Sequence, residues 1–245
     1  MNPAIDARIA EAVREYKGGA YRAQLVHDLI LADAATYGDR PVFLDIGCGK
    51  GFDSDIPLQE SLARSAGAYI GVEPDTAVTP AGHVTDLRRG FFEQADVAPG
   101  SVHVAFAIMV LEHLEHPQPF WDKLYEVLAP GGVFWGLTVD ARHWFASASI
   151  WSERLRVKDW YLNRLMGDRG KDRYENYPVY YRSNTPAACA SFAGRFSEVR
   201  CINFARVGQC DPLFPRMFHP LSRWFETRRV RRGKPGTLLA VRAVK

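Results

Sequence analysis

The stretch that most constrains this chain is VFLDIGCGKG, residues 42–51, in which an apolar run ending in an acid is followed by three glycines at alternate positions. An apolar run of this length is typical of a buried parallel strand. Glycines directly after such a strand allow the backbone to turn sharply or to approach a ligand closely. The stretch therefore predicts a strand that ends in a ligand-binding loop, with Gly47, Gly49 and Gly51 in the loop and Asp45 before it.

Strand and helix patterns alternate along the rest of the chain. Helical apolar spacing predicts helices over residues 4–16, 20–36, 56–66 and 119–132. Strand-like runs lie at residues 41–46, 68–73, 102–110, 132–139, 198–204 and 237–244. Pro130 and the two glycines after it are expected to end the fourth helix. This alternation predicts an α/β fold with a doubly wound, mostly parallel sheet, whose ligands bind at the carboxyl ends of the strands.

The length and composition set the class of protein. A chain of 245 residues with 47% hydrophobic residues can bury a large core as one domain. No apolar run approaches the roughly 18 residues that a membrane-spanning helix needs, and residues 1–16 contain acids where a signal peptide would be apolar. We expect a cytoplasmic protein with reduced, mostly buried thiols. No spacing of histidines and cysteines suits a metal site.

The two halves of the chain differ in charge. Residues 1–140 contain 10 Lys and Arg against 20 Asp and Glu, whereas residues 141–245 contain 21 against 8. The overall charge of +3 hides this difference. We therefore expect the two halves to have different electrostatic roles.

The spacing of the glycines separates two kinds of nucleotide ligand. A dinucleotide loop has the pattern G-x-G-x-x-G, whereas Gly47, Gly49 and Gly51 occupy every second position. An acid such as Asp45 repels a pyrophosphate but attracts a cationic amino group. The loop therefore favours a nucleoside that carries an amino acid over a dinucleotide.

Further blocks follow in order along the chain. YIGVEPD, residues 69–75, ends the second strand in an acid, and VHVAFAIMVLEHLEHP, residues 102–117, precedes LYEVLAPGGVF, residues 124–134. Together with LDIGCGKG, these blocks resemble class I S-adenosylmethionine-dependent methyltransferases over about residues 40–140. The last block is most similar to the small-molecule branch that includes quinone-biosynthesis methyltransferases.

The resemblance implies S-adenosylmethionine as the cofactor and S-adenosylhomocysteine as the product. It implies that the three glycines let the backbone lie against the methionine and ribose portions, while Asp45 is directed toward the cofactor's amino group, directly or through water. Glu73 would accept hydrogen bonds from both ribose hydroxyls. Cys48 adjoins the cofactor and is expected to pack against it, and Met109 after the fourth strand is included in the cofactor-binding set.

The sequence departs from the family pattern after the third strand. Related enzymes usually have an acid there that binds the adenine amino group, and this chain has Phe91 and Phe92. Two interpretations stay open for the pair. An aromatic face or Glu93 replaces the acid, or the two phenylalanines belong to the core.

The end of the fourth strand contains the candidate catalytic base. Methyl transfer from a sulfonium needs alignment, and a hydroxyl acceptor also needs a base. Glu112 and His113 come directly after this strand, and resembling enzymes sometimes use a histidine at the position of His113 as the base. The alternative is that His113 holds the turn by hydrogen bonds. The strand lacks the Asn/Asp-Pro-Pro-aromatic stretch and the nucleophilic cysteine of base methyltransferases.

The segment after the fifth strand is longer than a crossover requires and predicts a helical cap. It interleaves Trp144, Trp151, Trp160, Tyr161, Tyr180 and Tyr181 with Arg154, Arg156, Lys158, Arg164 and Arg173. The pattern fits a pocket for an anionic acceptor, an amphipathic helix on an anionic membrane, or a helix that packs its aromatic residues on the core. A second basic run, residues 223–234, predicts a surface hairpin or loop.

We expect a seven-stranded methyltransferase fold in one domain. Its parts are N-terminal helices at 1–38, a cofactor-binding core at 39–140, a cap at 141–183 and C-terminal strands at 184–245. The expected reaction is O-methylation of a small-molecule, glycan or lipid-linked acceptor, with peripheral membrane contact. N-, C- or RNA methylation and a non-catalytic binding role stay open, although no RNA-binding module is attached. The sequence does not indicate an oligomeric state.

Overall fold

The computed structural model describes residues 3–148, 177–211 and 214–245. Within these residues the helices are α1 Pro3–Lys17, α2 Arg22–Ala34, α3 Ile56–Ser65, α4 Pro117–Val127, α5 Pro186–Phe192 and α6 His219–Arg231. The strands are β1 Val42–Ile46, β2 Ala68–Glu73, β3 Asp86–Arg89, β4 Val102–Ile108, β5 Leu128–Val139, β6 Glu198–Phe204 and β7 Leu238–Val244. None of the described helices has the length and apolar character that crossing a bilayer requires.

The strands form one sheet in the order β3-β2-β1-β4-β5-β7-β6. The pairings from β3 through β5 are parallel, and β7 is antiparallel to both β5 and β6. The predicted seven-stranded, mostly parallel α/β fold is therefore confirmed. The strand order reverses between β1 and β4, which is where a doubly wound sheet opens a crevice for ligands.

Two apolar clusters cover the two faces of the sheet. Residues of α1 and α2 pack with Phe43 and Phe106 on one face. On the other face, α4 places Phe120, Trp121 and Leu124 against Phe134 of β5. The apolar residues of α4 recur at intervals of three and four, which puts them on one side of the helix. Each face of the parallel strands is thereby covered, as such sheets require.

A buried ion pair ties α2 to the antiparallel end of the sheet. Asp33 accepts hydrogen bonds from Arg242 Nε at 2.8 Å and Arg242 Nη2 at 2.8 Å. The indole of Trp135 also donates to Asp33, at 2.8 Å. The Asp33 and Arg242 side chains are 3% and 6% exposed, so neither charge has much access to water. Removal of either partner would leave the other charge buried and uncompensated.

The connections that leave the carboxyl ends of β1, β2, β4 and β5 emerge at one edge of the sheet. The end of β6 lies at the same edge. Leu238, the first residue of β7, pairs with Val139 at the end of β5 and with Phe204 at the end of β6. The connection from β6 to β7, which contains α6, therefore starts and ends at the ligand-binding edge. Both halves of the chain contribute to this edge.

Two local predictions from the sequence were wrong, and one strand had been given no bounds. The fourth helix ends at Val127, before Pro130, because Leu128 already has extended backbone and begins β5. Residues 223–234 are not a hairpin or loop, because α6 begins with Pro220 in its first turn and reaches Arg231. The third strand was expected before Phe91 but its bounds were not predicted, because the DLRR sequence of β3 is polar and half-exposed at the edge of the sheet.

Candidate functional site

The glycine loop is held against the end of β2. The backbone N–H groups of Gly47 and Cys48 both donate to the carbonyl of Val72, at 2.8 and 3.1 Å. Gly47 has φ of 79° and Gly51 has φ of 107°, in the left-handed region where glycine is favoured. The loop conformation therefore requires glycine at both of these positions.

Glu73 connects the end of β2 to this loop. Its Oε2 accepts a hydrogen bond from the Gly49 N–H at 2.8 Å, and its Oε1 accepts one from the Asp75 N–H at 2.9 Å. A Cβ atom on Gly49 would lie 2.7 Å from Oε2, so glycine is what permits this approach. Each carboxylate oxygen has a second lone pair, which leaves the group able to accept two hydroxyls.

Asp45 belongs to a buried network beneath the loop. Its Oδ2 accepts hydrogen bonds from the Tyr69 hydroxyl at 2.6 Å and from Gln59 Nε2 at 2.8 Å. The same Gln59 amide donates to the Cys48 carbonyl at 2.7 Å. Burial raises the pKa of Asp45 to about 6, although the two hydrogen bonds oppose the shift. The contacts make Asp45 a positioning residue for the loop, and its contact with a cofactor amino group stays a prediction.

The raised pKa of Asp45 predicts a pH dependence of stability. The folded protein binds the proton more tightly than the unfolded chain, whose pKa is near 3.8, so the free energy of unfolding falls as pH rises from about 4 to 6. Asp45→Asn removes this titrating group. When the pH is raised from 4 to 7.5, we expect the free energy of unfolding of Asp45→Asn to increase by up to about 3 kcal/mol relative to that of wild type. Urea unfolding at both pH values measures this. An unchanged pH dependence, as expected for the exposed control Asp39→Asn, would contradict it.

The two phenylalanines after β3 have different environments. Phe92 is 3% exposed and packs edge-on against Phe120, with ring centroids 5.2 Å apart. Phe91 is 65% exposed and lies two residues after the end of β3, at the carboxyl edge. Phe92 therefore packs in the core, in agreement with the second interpretation, and its place in the cofactor-binding set stays a prediction. Phe91 also stays a candidate.

The other two predicted cofactor residues also lie at the loop. Cys48 is fully buried, and a Cβ atom on Gly71 of β2 would lie 2.8 Å from its Sγ, so the thiol fills the space that Gly71 leaves. Burial raises the pKa of this thiol, which agrees with a packing role. Met109 has φ of 57° and directly follows β4, with its N–H donating to the Leu137 carbonyl at 2.7 Å. Its cofactor contact stays a prediction.

An ion pair that the sequence analysis missed closes the loop from the side of α2. Arg22 donates through Nε and Nη2 to both oxygens of Asp53, at 2.6 and 2.7 Å. Asp53 and Ser54 both have positive φ, 53° and 69°, so this turn is held in an uncommon conformation. No local pattern indicates a pair separated by 31 residues. The pair brings α2 into the site.

The turn after β4 is anchored by a buried carboxylate. Glu112 is 3% exposed, and its Oε2 accepts a hydrogen bond from the Thr138 hydroxyl at 2.7 Å. The Glu112 carbonyl accepts from the N–H groups of Tyr180 and Tyr181, at 2.8 and 3.2 Å. Burial raises the pKa of Glu112. Glu112 therefore fixes both the β4 turn and the chain that returns from the cap.

His113 is half-buried next to that returning chain. Its Nδ1 lies 2.9 Å from the Pro178 carbonyl, so Nδ1 carries the proton in the neutral ring and Nε2 is the acceptor. The ring of Tyr177 stands edge-on to His113, with centroids 5.9 Å apart, and the Tyr177 hydroxyl donates to Asp75. Residues 177–178 thus contact the loop after β2 and the turn after β4.

The remaining cap residues are divided by what the structure describes. Trp144 stacks on Phe214, with centroids 6.2 Å apart, and Arg182 lies over the ring of Tyr180 at 5.6 Å. The rest of the predicted aromatic and basic set lies outside the described residues: Trp151, Arg154, Arg156, Lys158, Trp160, Tyr161, Arg164 and Arg173. The described cap residues thus belong to the ligand-binding edge.

The residues at the loop fit S-adenosylmethionine. Glu73 can still accept hydrogen bonds, and it lies close to the backbone of Gly49. A Cβ atom at Gly49 would collide with the Glu73 carboxylate. A carboxylate in this position matches a ribose diol, and the close backbone suits a nucleoside linked to an amino acid. These residues would hold the ribose and the methionine portion.

Comparisons with known proteins agree with this geometry. The family model described as "Methyltransferase domain" matches residues 19–175. Sterol 24-C-methyltransferases of Candida albicans and Yarrowia lipolytica are 30% and 32% identical over 132 and 133 residues, which is 49% of this chain and 34% of each relative. The chain thus spans about a third of the length of these relatives.

Solved structures show the same fold. A SAM-dependent methyltransferase from Archaeoglobus fulgidus superposes with a TM-score of 0.57 at 12% identity, over 91% of this chain and 94% of that one. Geranyl diphosphate C-methyltransferase from Streptomyces coelicolor gives 0.51 at 9% identity, over 91% and 81%. The resemblance to the quinone-biosynthesis branch stays a prediction. The chain belongs to the methyltransferase domain family and has the fold of class I S-adenosylmethionine-dependent methyltransferases.

Proposed function

We propose that this protein transfers the methyl group of S-adenosylmethionine to an oxygen of a small, lipid-linked or otherwise apolar acceptor. The observation that carries the proposal is the Glu73 carboxylate against the Gly49 N–H at 2.8 Å, at the carboxyl end of β2. The bound cofactor supplies an electrophilic methyl group on a sulfonium. The protein's own residues then have to align the acceptor and take up its proton.

His113 is the proposed base. Its Nδ1 is engaged by the Pro178 carbonyl, which directs the lone pair to Nε2. The ring follows β4, next to β1 and its glycine loop in the sheet order. A histidine positioned in this way is a common general base for a hydroxyl proton.

The function is tested with radiolabelled S-adenosylmethionine and three acceptors, a long-chain phenol, a sterol and a soluble catechol. We expect label in the phenol, with kcat for His113→Gln reduced about a hundredfold or more and binding of S-adenosylhomocysteine retained. His116→Gln on the same turn is the control and should keep full kcat. Full activity of His113→Gln would remove the base role, and binding without any turnover would favour the non-catalytic alternative.

Carbon is the second candidate for the acceptor atom. The similarity to sterol 24-C-methyltransferases favours carbon, because the name of those proteins describes methyl transfer to a carbon atom. The buried Glu112 carboxylate then becomes important, since carbon methylation of an alkene creates positive charge that a carboxylate stabilises. Label in the sterol, with His113→Gln active, would establish this alternative over O-methylation.

A membrane surface is the proposed source of an apolar acceptor, and α6 is the proposed contact. Leu221, Trp224 and Phe225 are 64%, 53% and 45% exposed, at spacings that place them on one side of the helix. Met217 and Phe218, just before α6, are 78% and 46% exposed. Residues 216–234 contain seven Lys and Arg and a single Glu. Exposed aromatic residues beside arginines are typical of helices that lie on anionic lipid.

Vesicle sedimentation tests the contact. We expect binding to vesicles containing anionic phosphatidylserine, and little binding to neutral phosphatidylcholine. Arg231→Gln with Arg232→Gln should weaken binding roughly thirtyfold, since each basic residue near an anionic surface contributes about 1 kcal/mol. The control removes two exposed arginines from the acidic half, Arg8 and Arg64. Equal losses in both double variants would show that only the net charge matters.

A further inference from the structure

A cluster of unpartnered hydrogen-bond donors lies at the end of β5, apart from the glycine loop. Among the described residues, six buried side-chain polar atoms have no hydrogen-bond partner. Three of these atoms are nitrogens of neighbouring side chains: His143 Nε2, Trp144 Nε1 and Arg229 Nε. Buried donors without acceptors are uncommon in proteins, and each calls for an explanation.

His143 is the most buried member of the cluster. His143 is 1% exposed, and its Nδ1 accepts a hydrogen bond from the Phe145 N–H at 3.2 Å. Because Nδ1 is the acceptor, Nε2 carries the proton in the neutral ring. Burial and the charge of Arg229 lower the pKa of His143 to about 4, against a smaller opposing effect of Asp140. The ring therefore presents a buried N–H donor.

Trp144 adds a second donor beside it. Its ring lies 5.5 Å from the His143 ring and stacks on Phe214 at 6.2 Å. The indole nitrogen is a donor only, so it cannot be satisfied by another N–H group. Trp144 thus lies between the rings of His143 and Phe214 and adds an N–H donor to the cluster.

Arg229 supplies the charge. It lies on α6, donates through Nη2 to the Pro235 carbonyl at 3.2 Å and approaches the ring of Phe225 at 5.9 Å. Among the described residues it forms no salt bridge, and the buried Glu226, one turn earlier on α6, instead accepts hydrogen bonds from the N–H groups of Gly208 and Cys210. The nearby carboxylate of Asp140 is already engaged by Arg142 through two hydrogen bonds, at 3.0 and 2.6 Å. A partly buried guanidinium that is not held in a salt bridge favours an anion.

We infer that His143, Trp144 and Arg229 form a binding subsite for a phosphate group of the methyl acceptor. The oxygens of a phosphate accept hydrogen bonds from all three nitrogens and neutralise the guanidinium. A neutral or cationic group would leave either the donors or the charge unsatisfied. The inference rests on the proposed function for the statement that the phosphate belongs to the acceptor.

The position of the cluster suits an acceptor subsite. His143 comes shortly after β5, which is the second strand from β1 in the sheet order. Neighbouring strands are roughly 4.8 Å apart, so the end of β5 lies about 10 Å from the end of β1 along the edge. A phosphate held at this cluster would place the rest of a small acceptor along the edge toward the turn that contains His113.

Calorimetry with inorganic phosphate in a chloride buffer tests the subsite, with dihexanoyl phosphatidic acid as a second probe that carries the phosphate on a lipid. We expect wild type to bind phosphate, Arg229→Gln to bind at least tenfold more weakly, and Arg228→Gln to stay within twofold. Arg228 is the matched control because it is exposed on the same helix, over the ring of Trp224 at 4.2 Å. Absent binding in wild type, or equal losses in both variants, would overturn the inference.

A measurement on wild type covers the case in which Arg229→Gln does not fold. The indole N–H resonance of Trp144, assigned with Trp144→Phe, should shift in a saturable manner as phosphate is added, and an unmoved resonance would refute the subsite. Binding of S-adenosylhomocysteine is measured on the same samples. Binding of S-adenosylhomocysteine without binding of phosphate would refute the phosphate subsite alone. Binding of phosphate without binding of S-adenosylhomocysteine would refute the proposed function.

Discussion

Glu73→Ala is expected to weaken binding of S-adenosylhomocysteine by about a hundredfold or more. Glu73 is only 7% exposed, its Oε2 accepts from Gly49 of the glycine loop and its Oε1 accepts from Asp75, and each oxygen keeps a second lone pair. Hydrogen bonds to a charged group contribute roughly 1.5–3 kcal/mol each, so the loss of two costs about 3 kcal/mol at the low end. That loss corresponds to roughly two orders of magnitude in affinity. Isothermal titration calorimetry measures it directly.

Two further variants make the result specific to the carboxylate. Glu73→Gln keeps the shape but turns an amide N–H₂ toward the N–H of Gly49 or Asp75, so it should also bind poorly. Glu60→Ala, on α3, removes a glutamate whose side chain is 42% exposed and pairs with Arg64, and this variant should bind like wild type. NADH should not bind to any of the proteins. Binding by Glu73→Ala within threefold of wild type would refute the assignment of Glu73 to the ribose.

Asp33→Ala is expected to lower the free energy of unfolding by roughly 3–5 kcal/mol. The substitution leaves the Arg242 guanidinium buried without a counter-ion and removes the acceptor for the Trp135 indole. The cost arises from the unpaired charge, since the side chain of Arg242 is 6% exposed. Urea unfolding followed by circular dichroism gives the value.

A double variant separates the unpaired charge from the lost packing. Asp33→Leu with Arg242→Met removes both charges and should recover much of the stability that Asp33→Ala loses. Asp39→Ala, an exposed aspartate just after α2, is the control and should change stability by less than about 0.5 kcal/mol. If Asp33→Ala cost less than 1 kcal/mol, the buried pair would have no stabilising role.

The sequence was most informative where local pattern and burial agree. The strands β2 and β6 match their predicted bounds, because both are continuous runs with apolar or β-branched residues and clear ends. The glycine loop and Glu73 could be predicted as a ligand site because the glycines follow the end of β1 and the glutamate stands at the end of β2. The helix α6 was misread since a dense run of arginines is typical of solvated loops as well as of exposed helices.

The contacts that complete the site could not be read from local pattern. Arg22 and Asp53 are ordinary charged residues until the fold brings α2 next to the loop. The exposed Phe91 and the buried Phe92 have identical side chains, and only the direction of the chain after β3 separates them. The same holds for Arg229 and Arg228, whose surroundings differ although they are adjacent in the sequence.

The position of β7 between β5 and β6 has a consequence for the order in which the protein folds. In the chain β7 comes after β6, and in the sheet it separates β6 from β5. During synthesis β6 therefore has no strand to pair with until β7 has emerged, and the backbone N–H and C=O groups of β5 stay open along one edge. Arg242 is on β7 and Asp33 is on α2, so the first helices also lack their ion pair until then. Completion of the sheet is thus a late, long-range event, which topology makes slow.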